Sequence, residues 1–195
     1  MNEPPILLAD EELKLWRTIQ RLHTELRGHT WNTYSRVNPF VENLFEWKGK
    51  GEFFGGRDVT IYDSTTVVGD VEIGDHTWIG PFCSLDGTAS LRIGHHCSIS
   101  LGTQVLTHDT MKWALTGGKA AAEYEPVSIG DCCFVGSHCV ITKGVSIGNH
   151  CVIGAGAVVT RSIEDCSVAV GVPARTVGRV ILKDEADIEI EYFAR

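Results

Sequence analysis

The feature that most limits how this chain can fold is a six-residue recurrence of large aliphatic side chains. It starts at Ile61, shifts by two residues at Ile93, and includes Ile61, Val67, Ile73, Ile79, Leu85, Leu91, Ile93, Ile99, Val105, Ile129, Val135, Ile141, Ile147, Ile153 and Val159. A period of six matches neither the alternation of an amphipathic strand nor the turn of a helix. It predicts a solenoid in which three six-residue units close one triangular coil and successive coils stack by strand pairing.

Glycine often follows the recurring aliphatic residue, at Gly74, Gly80, Gly94, Gly130, Gly136, Gly148 and Gly154. We expect these glycines to allow sharp corners, where a positive φ is often required. The pattern predicts a mainly β protein with about five coils over residues 57–176. Residues 1–56 are then a helical N-terminal cap with an entry linker, and residues 177–195 are a C-terminal tail that forms a strand or a helix.

Residues 10–27 have the pattern of an amphipathic helix that Asp10 caps and Gly28 ends. Its apolar stripe consists of Leu13, Trp16, Ile19, Leu22 and Leu26. A second short helix is predicted to begin at Asn38 and Pro39. Because the end coil of a solenoid is apolar, we expect these helices to cover it.

The composition excludes some functional classes. The net charge of −8 is unfavourable for a general nucleic-acid binder, which normally has a basic surface. Apolar runs are shorter than the roughly 20 residues of a membrane span. The first residues, MNEPPILLADEE, do not resemble a secretory signal, so we expect a cytoplasmic protein.

Most of the seven cysteines keep the phase of the repeat. Five of them follow a recurring aliphatic residue by four positions, namely Cys83, Cys97, Cys133, Cys139 and Cys151, where other units have threonine or alanine. This position favours a small side chain, so we predict buried, reduced thiols without a metal or disulfide role. Cys132 and Cys166 lie outside this position and receive no role.

The repeat is interrupted between Val105 and Ile129, where an insertion covering residues 107–126 begins with THD. Insertions at solenoid corners often form the binding face. Five histidines share a corner phase three residues after an aliphatic position: His76, His96, His108, His138 and His150. We expect exposed corner side chains at all five. His108 differs because the chain leaves the coil there.

Three segments resemble the hexapeptide-repeat acyltransferases: THD at 107–109, PVSIGDCCFVGSHCVITKGVSIGNHCVIGAGAVVTR at 126–161, and VAVGVPAR at 168–175. They are most similar to the galactoside/maltose acetyltransferases and polysaccharide O-acetyltransferases. This resemblance implies a left-handed parallel β-helix, acetyl-CoA as the acyl donor, and a homotrimer with active sites at subunit interfaces. It also implies a sugar or glycan precursor as the acceptor.

The resemblance implies that His108 is the general base. A neutral imidazole can take the proton of an attacking hydroxyl and return it to the thiolate that leaves. A carboxylate is expected to orient the imidazole. Asp109 and Glu125 are the nearest candidates in sequence, and Glu123 is also open.

The resemblance also assigns the coenzyme A site. Ser137 and Ala155 match residues whose backbone holds the pantetheine arm, and Thr160 and Arg161 match the pair near the adenine and the 3′-phosphate. Pro173 matches a turn that flanks the nucleotide, and Arg175 is a second source of positive charge. Because positions 137 and 155 are 18 residues apart, we expect Ser137 and Ala155 to stack on adjacent coils.

Acceptor recognition is less determined, with Asp86 and Trp113 as candidates for contacts with a sugar. An N-acetyltransferase for a nucleotide-linked amino sugar is the nearest alternative. A zinc enzyme like the γ-carbonic anhydrases and a non-catalytic scaffold are alternatives from other classes. The zinc enzymes have two histidine ligands five residues apart, whereas the residue five after His108 is Trp113, so no metal is expected.

Overall fold

The computed structural model describes residues 6–35, 37, 47–184 and 187–194. The chain divides into two compact units, residues 1–46 and residues 47–195. The boundary therefore lies ten residues before the predicted one at 56. The second predicted helix, from Asn38, lies outside the described residues.

The first unit contains helix α1 (Asp10–Tyr34). The helix runs past Gly28, where we predicted its end, and the residue before it, Ala9, occupies the N-cap position expected for Asp10. The backbone N–H of Ala9 donates to the Glu12 carboxylate over 2.9 Å, which satisfies the helix start without a side-chain cap. Of the predicted stripe, Leu13, Trp16 and Leu26 are half-buried, whereas Ile19 and Leu22 are exposed.

The second unit opens with the short helix α2 (Trp47–Gly51) and a 3₁₀ turn (Glu52–Phe54). The Lys50 ammonium group donates to the main-chain carbonyl of Asp63 over 3.0 Å and to that of Thr65. These bonds hold α2 against the first coil. A short helical segment therefore contacts the N-terminal end of the solenoid, as the sequence led us to expect.

The rest of this unit is a parallel β-solenoid, which confirms the fold class. Its first two coils contain β1 (Thr60–Ile61), β2 (Thr66–Ile73), β3 (Trp78–Ile79) and β4 (Ser84–Ile93). The third contains β5 (Ser98–Ile99), β6 (Gln104–Val105), β7 (His108–Asp109), helix α3 (Met111–Leu115), β8 (Glu123–Tyr124) and β9 (Val127–Ile129). The fourth and fifth contain β10 (Phe134–Val135), β11 (Val140–Ile141), β12 (Ser146–Ile147), β13 (Val152–Ile153) and β14 (Val158–Val159), and β15 (Ser167–Val170) starts a sixth.

The recurring aliphatic residues form three columns along the solenoid, one behind each face. The first column is Ile61, Ile79, Ile99, Val135, Ile153 and Ala169. The second is Val67, Leu85, Val105, Ile141 and Val159, and the third is Ile73, Ile93, Ile129, Ile147 and Ile163. Nearly all of these side chains are buried, so the columns are the core.

The two-residue shift of the repeat is a bulge in β4. Gly69 of β2 pairs with Gly87 of β4, but Val71 then pairs with Leu91, so β4 contains two extra residues between these pairs. Leu91 and Ile93 are therefore both buried. The extra residues follow Asp86 closely, which becomes important for the site described below.

The glycines that follow the strands have a different function from the one predicted. None of the seven, all within the described part of the chain, has a positive φ. A Cβ atom on Gly94 would lie 2.7 Å from the backbone nitrogen of Asp131, and one on Gly130 would lie 2.8 Å from the carbonyl carbon of Gly148. Glycine is therefore required because the backbones of adjacent coils approach too closely for any side chain.

The positive φ values instead fall on corner residues two positions later. His76, His96, His138 and His150 have φ between 54° and 58°, and Cys132 and Cys166 have similar values. The first three of these histidines are exposed and His150 is half-exposed. The predicted corner location is confirmed, and His108 is the member of the set that lacks this backbone conformation.

We expect Gly130→Ala to lower the free energy of unfolding by about 1–3 kcal/mol, because the methyl group would force two coils apart. Gly28→Ala is the matched control, since a Cβ atom there has no neighbour within 4 Å and alanine favours a helix interior. Thermal melting followed by circular dichroism compares the two variants. Equal melting temperatures would contradict the close-approach explanation.

The five cysteines that keep the repeat phase are buried and free, as predicted. Each thiol donates to a main-chain carbonyl of the next coil; for example, Cys97 donates to Gly130 over 3.0 Å. Thr65 and Thr77 donate to such carbonyls in the same way. The position therefore favours a small donor as well as a small volume. Of the other two, Cys132 is exposed and Cys166 is partly exposed.

The C-terminal segment is an antiparallel hairpin. Strand β16 (Arg175–Leu182) pairs with β15, and β17 (Ile188–Tyr192) pairs with β16. The predicted tail is thus a continuation of the first face. No helix among the described residues is long and apolar enough to cross a membrane.

Candidate active site

The insertion after Val105 is closed at its base by a short β-ladder. In this ladder β7 pairs with β8 in antiparallel register, with His108 opposite Tyr124 and Asp109 opposite Glu123. The backbone N–H of Glu125 donates to the carbonyl of Thr107 over 2.9 Å. Helix α3 lies between the two strands in sequence. The ladder therefore fixes His108 where the chain leaves the coil.

The side chain that contacts the His108 ring is Asp86, from the bulged strand β4. His108 Nδ1 lies 2.7 Å from Asp86 Oδ2. The Asp86 side chain is 9% exposed and that of His108 is 39% exposed. A buried carboxylate thus supports an imidazole that remains accessible to solvent.

Both oxygens of Asp86 are occupied by hydrogen bonds. Oδ1 accepts from the backbone N–H and the hydroxyl group of Thr88, and Oδ2 accepts from the backbone N–H of Thr107 over 2.9 Å and from its hydroxyl group over 3.1 Å. Burial alone would raise the pKa of Asp86, but the hydrogen bonds from Thr88, Thr107 and His108 hold it well below its usual value.

The tautomer of His108 follows from the ionisation of Asp86. An ionised carboxylate only accepts hydrogen bonds, so His108 Nδ1 donates to it. In the neutral ring Nε2 is then unprotonated and can accept a proton. This arrangement of a carboxylate, an oriented imidazole and a free ring nitrogen is that of a general base.

Tyr124 forms a wall beside the imidazole. Its ring stacks on that of His108 with centroids 5.8 Å apart and an interplanar angle of 21°. The stack covers one face of the imidazole. Sequence reasoning did not identify Tyr124, because its contact depends on the pairing of β7 with β8 across the whole insertion.

Asp109, Glu123 and Glu125, the carboxylates nearest to His108 in sequence, converge on Lys143 instead. Lys143 Nζ lies 3.4 Å from Asp109 Oδ2, 3.2 Å from Glu123 Oε2 and 3.0 Å from Glu125 Oε1. Glu123 also pairs with Lys112. These carboxylates therefore belong to an ion-pair cluster at the base of the insertion.

The structure thus changes the predicted roles of the acidic residues. Asp109 and Glu125 were candidates to orient His108, and Asp86 was a candidate to contact the acceptor. Asp86 is instead beneath the imidazole, with both oxygens already bonded inside the protein. The sequence did contain one signal, because the shift of the repeat follows Asp86 and marks a local bulge in that coil.

The predicted coenzyme A residues on the corner between the first and second faces are stacked. The N–H of Gly156 donates to the carbonyl of Ser137 over 2.8 Å, which places Ser137 and Ala155 on adjacent coils, as their spacing predicted. Ser137 is half-buried and Ala155 is exposed. The turn with Pro173 continues this edge, since the N–H of Ala174 donates to the carbonyl of Val158 over 2.8 Å.

Thr160 and Arg161 lie on the other edge of the second face. They follow β14, whereas Ala155 precedes it. Their corner contains Lys143 one coil earlier and His108 at the insertion, and both side chains are exposed. Arg175 is exposed too, and it donates to the carbonyl of Ala174 over 2.8 Å. The candidate coenzyme A residues of one chain therefore occupy both edges of the second face.

Trp113, the other predicted acceptor contact, lies on α3 and is exposed. Its location on the insertion is compatible with an acceptor wall, but it has no contact with the His108 ring among the aromatic pairs of the described residues. Within the same part of the chain, no cluster of three or more His, Cys, Asp or Glu side chains has a geometry suited to a metal ion.

Comparison with known proteins gives a consistent result. The family described as the hexapeptide repeat of succinyl-transferase matches residues 126–161. A variant of AntD, an N-acyltransferase from Bacillus cereus crystallised with dTDP and coenzyme A, is 27% identical and has a TM-score of 0.58. That match covers 64% of this chain and 71% of AntD.

Two further solved structures match over more of the chain. A hexapeptide-repeat acetyltransferase from Vibrio cholerae is 24% identical over 91% of this chain and 96% of its own, with a TM-score of 0.57. A maltose O-acetyltransferase from Clostridium difficile 630 is 21% identical over 89% and 90% of the two chains, also with a TM-score of 0.57. The repeat and the parallel β-helix, together with these structures, place the chain among the hexapeptide-repeat acyltransferases.

Proposed function

We propose that this protein transfers an acetyl group from acetyl-CoA to a hydroxyl group of a sugar or glycan precursor. The observation that carries the proposal is the Asp86–His108 pair, with its 2.7 Å hydrogen bond and its exposed imidazole. The membership of the hexapeptide-repeat acyltransferases supports acyl transfer. In this role His108 is the general base, and Asp86 orients it.

The reaction follows from the geometry of the pair. An acceptor hydroxyl attacks the thioester carbonyl carbon while His108 Nε2 takes the hydroxyl proton. The imidazolium that forms is stabilised by ionised Asp86 through Nδ1. The carbon–sulfur bond then breaks, and the proton passes from Nε2 to the departing thiolate. The products are an O-acetyl ester and free coenzyme A.

The donor site of the proposal uses the edges of the second face. Backbone groups at Ser137 and Ala155 are suited to the amide groups of the pantetheine arm, since both residues lie on an open corner. Thr160 and the exposed guanidinium of Arg161 are suited to the nucleotide end, where Arg161 adds positive charge for a phosphate. Pro173 and Arg175 flank the same end.

We expect Arg161→Glu to raise the KM for acetyl-CoA by about tenfold or more, since a repulsive contact replaces an attractive one near phosphate. The free energy of unfolding should remain the same because Arg161 is exposed. Initial rates measured against acetyl-CoA concentration test this, with Arg179→Glu on the C-terminal hairpin as the control. An unchanged KM for acetyl-CoA would remove Arg161 from the donor site.

A homotrimer is part of the proposal. A triangular solenoid presents flat faces, and a closed assembly buries one of them against a neighbour. Because the candidate donor residues of one chain lie on two edges of the second face, a neighbouring subunit placed at that face would complete a groove for coenzyme A. The exposed side chains of Met111, Trp113 and Leu115 on α3 are suited to such a contact.

A second candidate function is transfer to the amine of a nucleotide-linked amino sugar. It is favoured by the likeness to AntD, the N-acyltransferase crystallised with dTDP and coenzyme A. The Asp86–His108 pair suits an amine as well, because a protonated amine must lose a proton before it can attack. The chemical difference lies in the acceptor alone.

The test is an acceptor screen that measures the release of free thiol from acetyl-CoA. Sugars with free hydroxyl groups and nucleotide-linked amino sugars form the two arms, and mass spectrometry of the product distinguishes an ester from an amide. Release with neither group would contradict the proposed acceptor class. Zinc analysis of the same sample, with an assay of carbon dioxide hydration, tests the carbonic anhydrase alternative.

A further inference from the structure

We infer that Lys143 is a positioning residue that locks the base of the insertion onto the next coil and thereby holds His108 in its catalytic orientation. Lys143 lies in the corner between β11 and β12, 18 residues after Glu125 and thus one coil later. The inference rests on the proposed role of His108. It adds a residue that contacts neither substrate nor His108.

The contacts of Lys143 join both ends of the insertion. Asp109, from the strand that leaves the coil, lies 3.4 Å from its ammonium nitrogen. Glu123 and Glu125, from the returning strand and the residue that follows it, lie at 3.2 Å and 3.0 Å. One cation therefore ties the outgoing chain, the returning chain and the fourth coil together.

The surroundings of Lys143 indicate more than a surface ion pair. Its side chain is 16% exposed, whereas those of its three partners are 30–55% exposed. The hydrogen bonds to Glu125 and Glu123 raise the pKa of Lys143, so it stays charged throughout the neutral range. Without it, three carboxylates would face one another, with only Lys112 near Glu123 to reduce the repulsion.

The cluster is directly connected to the catalytic pair. Asp109 is the next residue after His108, and Glu123 is the ladder partner of Asp109. On the other side of the ladder, Tyr124 stacks on the His108 ring. A separation of β7 from β8 would therefore move His108 relative to Asp86, which belongs to the solenoid wall and would remain in place.

The experiment compares Lys143→Met with Lys143→Arg in the full-length protein. We expect Lys143→Met to lower kcat by about tenfold or more, because displacement of a catalytic group by 1 Å has effects of this size. The KM for acetyl-CoA should change by less than about twofold, and Lys143→Arg should retain most of the activity, because it keeps the charge. Lys119→Met, an exposed lysine of the same insertion, is the control for a loss of charge.

Hydrogen exchange gives a readout that does not depend on activity. In Lys143→Met the amides of residues 107–109 and 123–125 should exchange faster, above all that of Glu125, which bonds to Thr107. If the wild-type protein transfers no acetyl group, the proposed function fails, and the exchange result alone decides the role of Lys143. Unchanged exchange in Lys143→Met, or equal effects in Lys119→Met, would overturn the inference.

A second variant covers the case in which Lys143→Met destabilises the whole solenoid. Lys143→Met/Glu125→Gln removes one of the three carboxylates that would repel one another. The inference requires that this double variant exchange more slowly at residues 107–109 than Lys143→Met does. Exchange as fast as in the single variant would overturn it, because the lysine would then not act through these carboxylates.

Discussion

His108→Ala is expected to lower kcat for acetyl transfer by at least about 10²-fold, the usual contribution of a positioned general base. Acetyl-CoA binding should persist, because the donor residues lie on other corners of the solenoid. The imidazole Nε2 accepts the acceptor proton, and no other side chain bonded to Asp86 can replace it: Thr88 and Thr107 offer hydroxyl and N–H donors.

Two measurements test this expectation. Steady-state kinetics with the acceptor found in the screen give kcat, and isothermal titration with coenzyme A gives binding separately. His96→Ala is a suitable control, since His96 is an exposed corner histidine that lies outside the insertion. Near-wild-type turnover in His108→Ala would exclude His108 from the mechanism, whatever the acceptor.

Asp86→Asn is expected to lower kcat by roughly 10²–10⁴-fold, in line with the effect of removing the carboxylate that orients a catalytic histidine. An asparagine amide can donate as well as accept, so it no longer requires the proton to be on Nδ1 of His108. It also provides no negative charge for the imidazolium that forms during transfer. The fold should remain, because the amide is similar in shape and can still accept some of the present bonds.

The pH dependence distinguishes this role from a structural one. A carboxylate near an imidazole favours the charged ring, so its removal should move the acid limb of the kcat/KM profile to lower pH. Because hydrogen bonds hold the pKa of Asp86 well below its usual value, Asp86 itself stays ionised across that limb in the wild type. Its stabilising contribution is present above the pKa of an unfolded carboxyl group and is lost only at strongly acidic pH.

Asp70→Asn is the matched control for Asp86→Asn. Asp70 lies in the neighbouring strand and pairs with Arg92 over 2.9 Å, but its side chain is exposed. This variant should keep the activity and the pH profile of the wild type. If Asp86→Asn lowered the melting temperature but left kcat and the profile unchanged, Asp86 would be only a structural residue of the bulge.

Much of the fold was predictable because the solenoid is a local repeat. Each six-residue unit forms one side of a coil, so the aliphatic period alone assigned Ile61, Ile79 and Ile99 to one buried column. The same phase located the buried cysteines and the corner histidines. The prediction for glycine failed because a single chain of letters does not show the distance between stacked backbones, which is what excludes a Cβ atom at Gly130.

The candidate site was only partly predictable. His108 was identified because the repeat is lost there and because the motif resembles a family. Its partner was missed, since Asp86 is 22 residues earlier and reaches the ring through a bulge that shifts the register. Lys143 could have been noticed, because it follows Glu125 by 18 residues, the same spacing that predicted the stacking of Ser137 and Ala155.

The sequence by itself determined the solenoid, its three aliphatic columns and the insertion that contains His108. These properties depend on local periodicity, and every coil repeats the same hydrophobic choice. Only the tertiary structure decided which carboxylate contacts the imidazole and which ones gather around Lys143. The physical reason is that ionic and hydrogen-bonding partners are selected by distances between coils and across the insertion, and side-chain contacts of that kind have no fixed period along the chain.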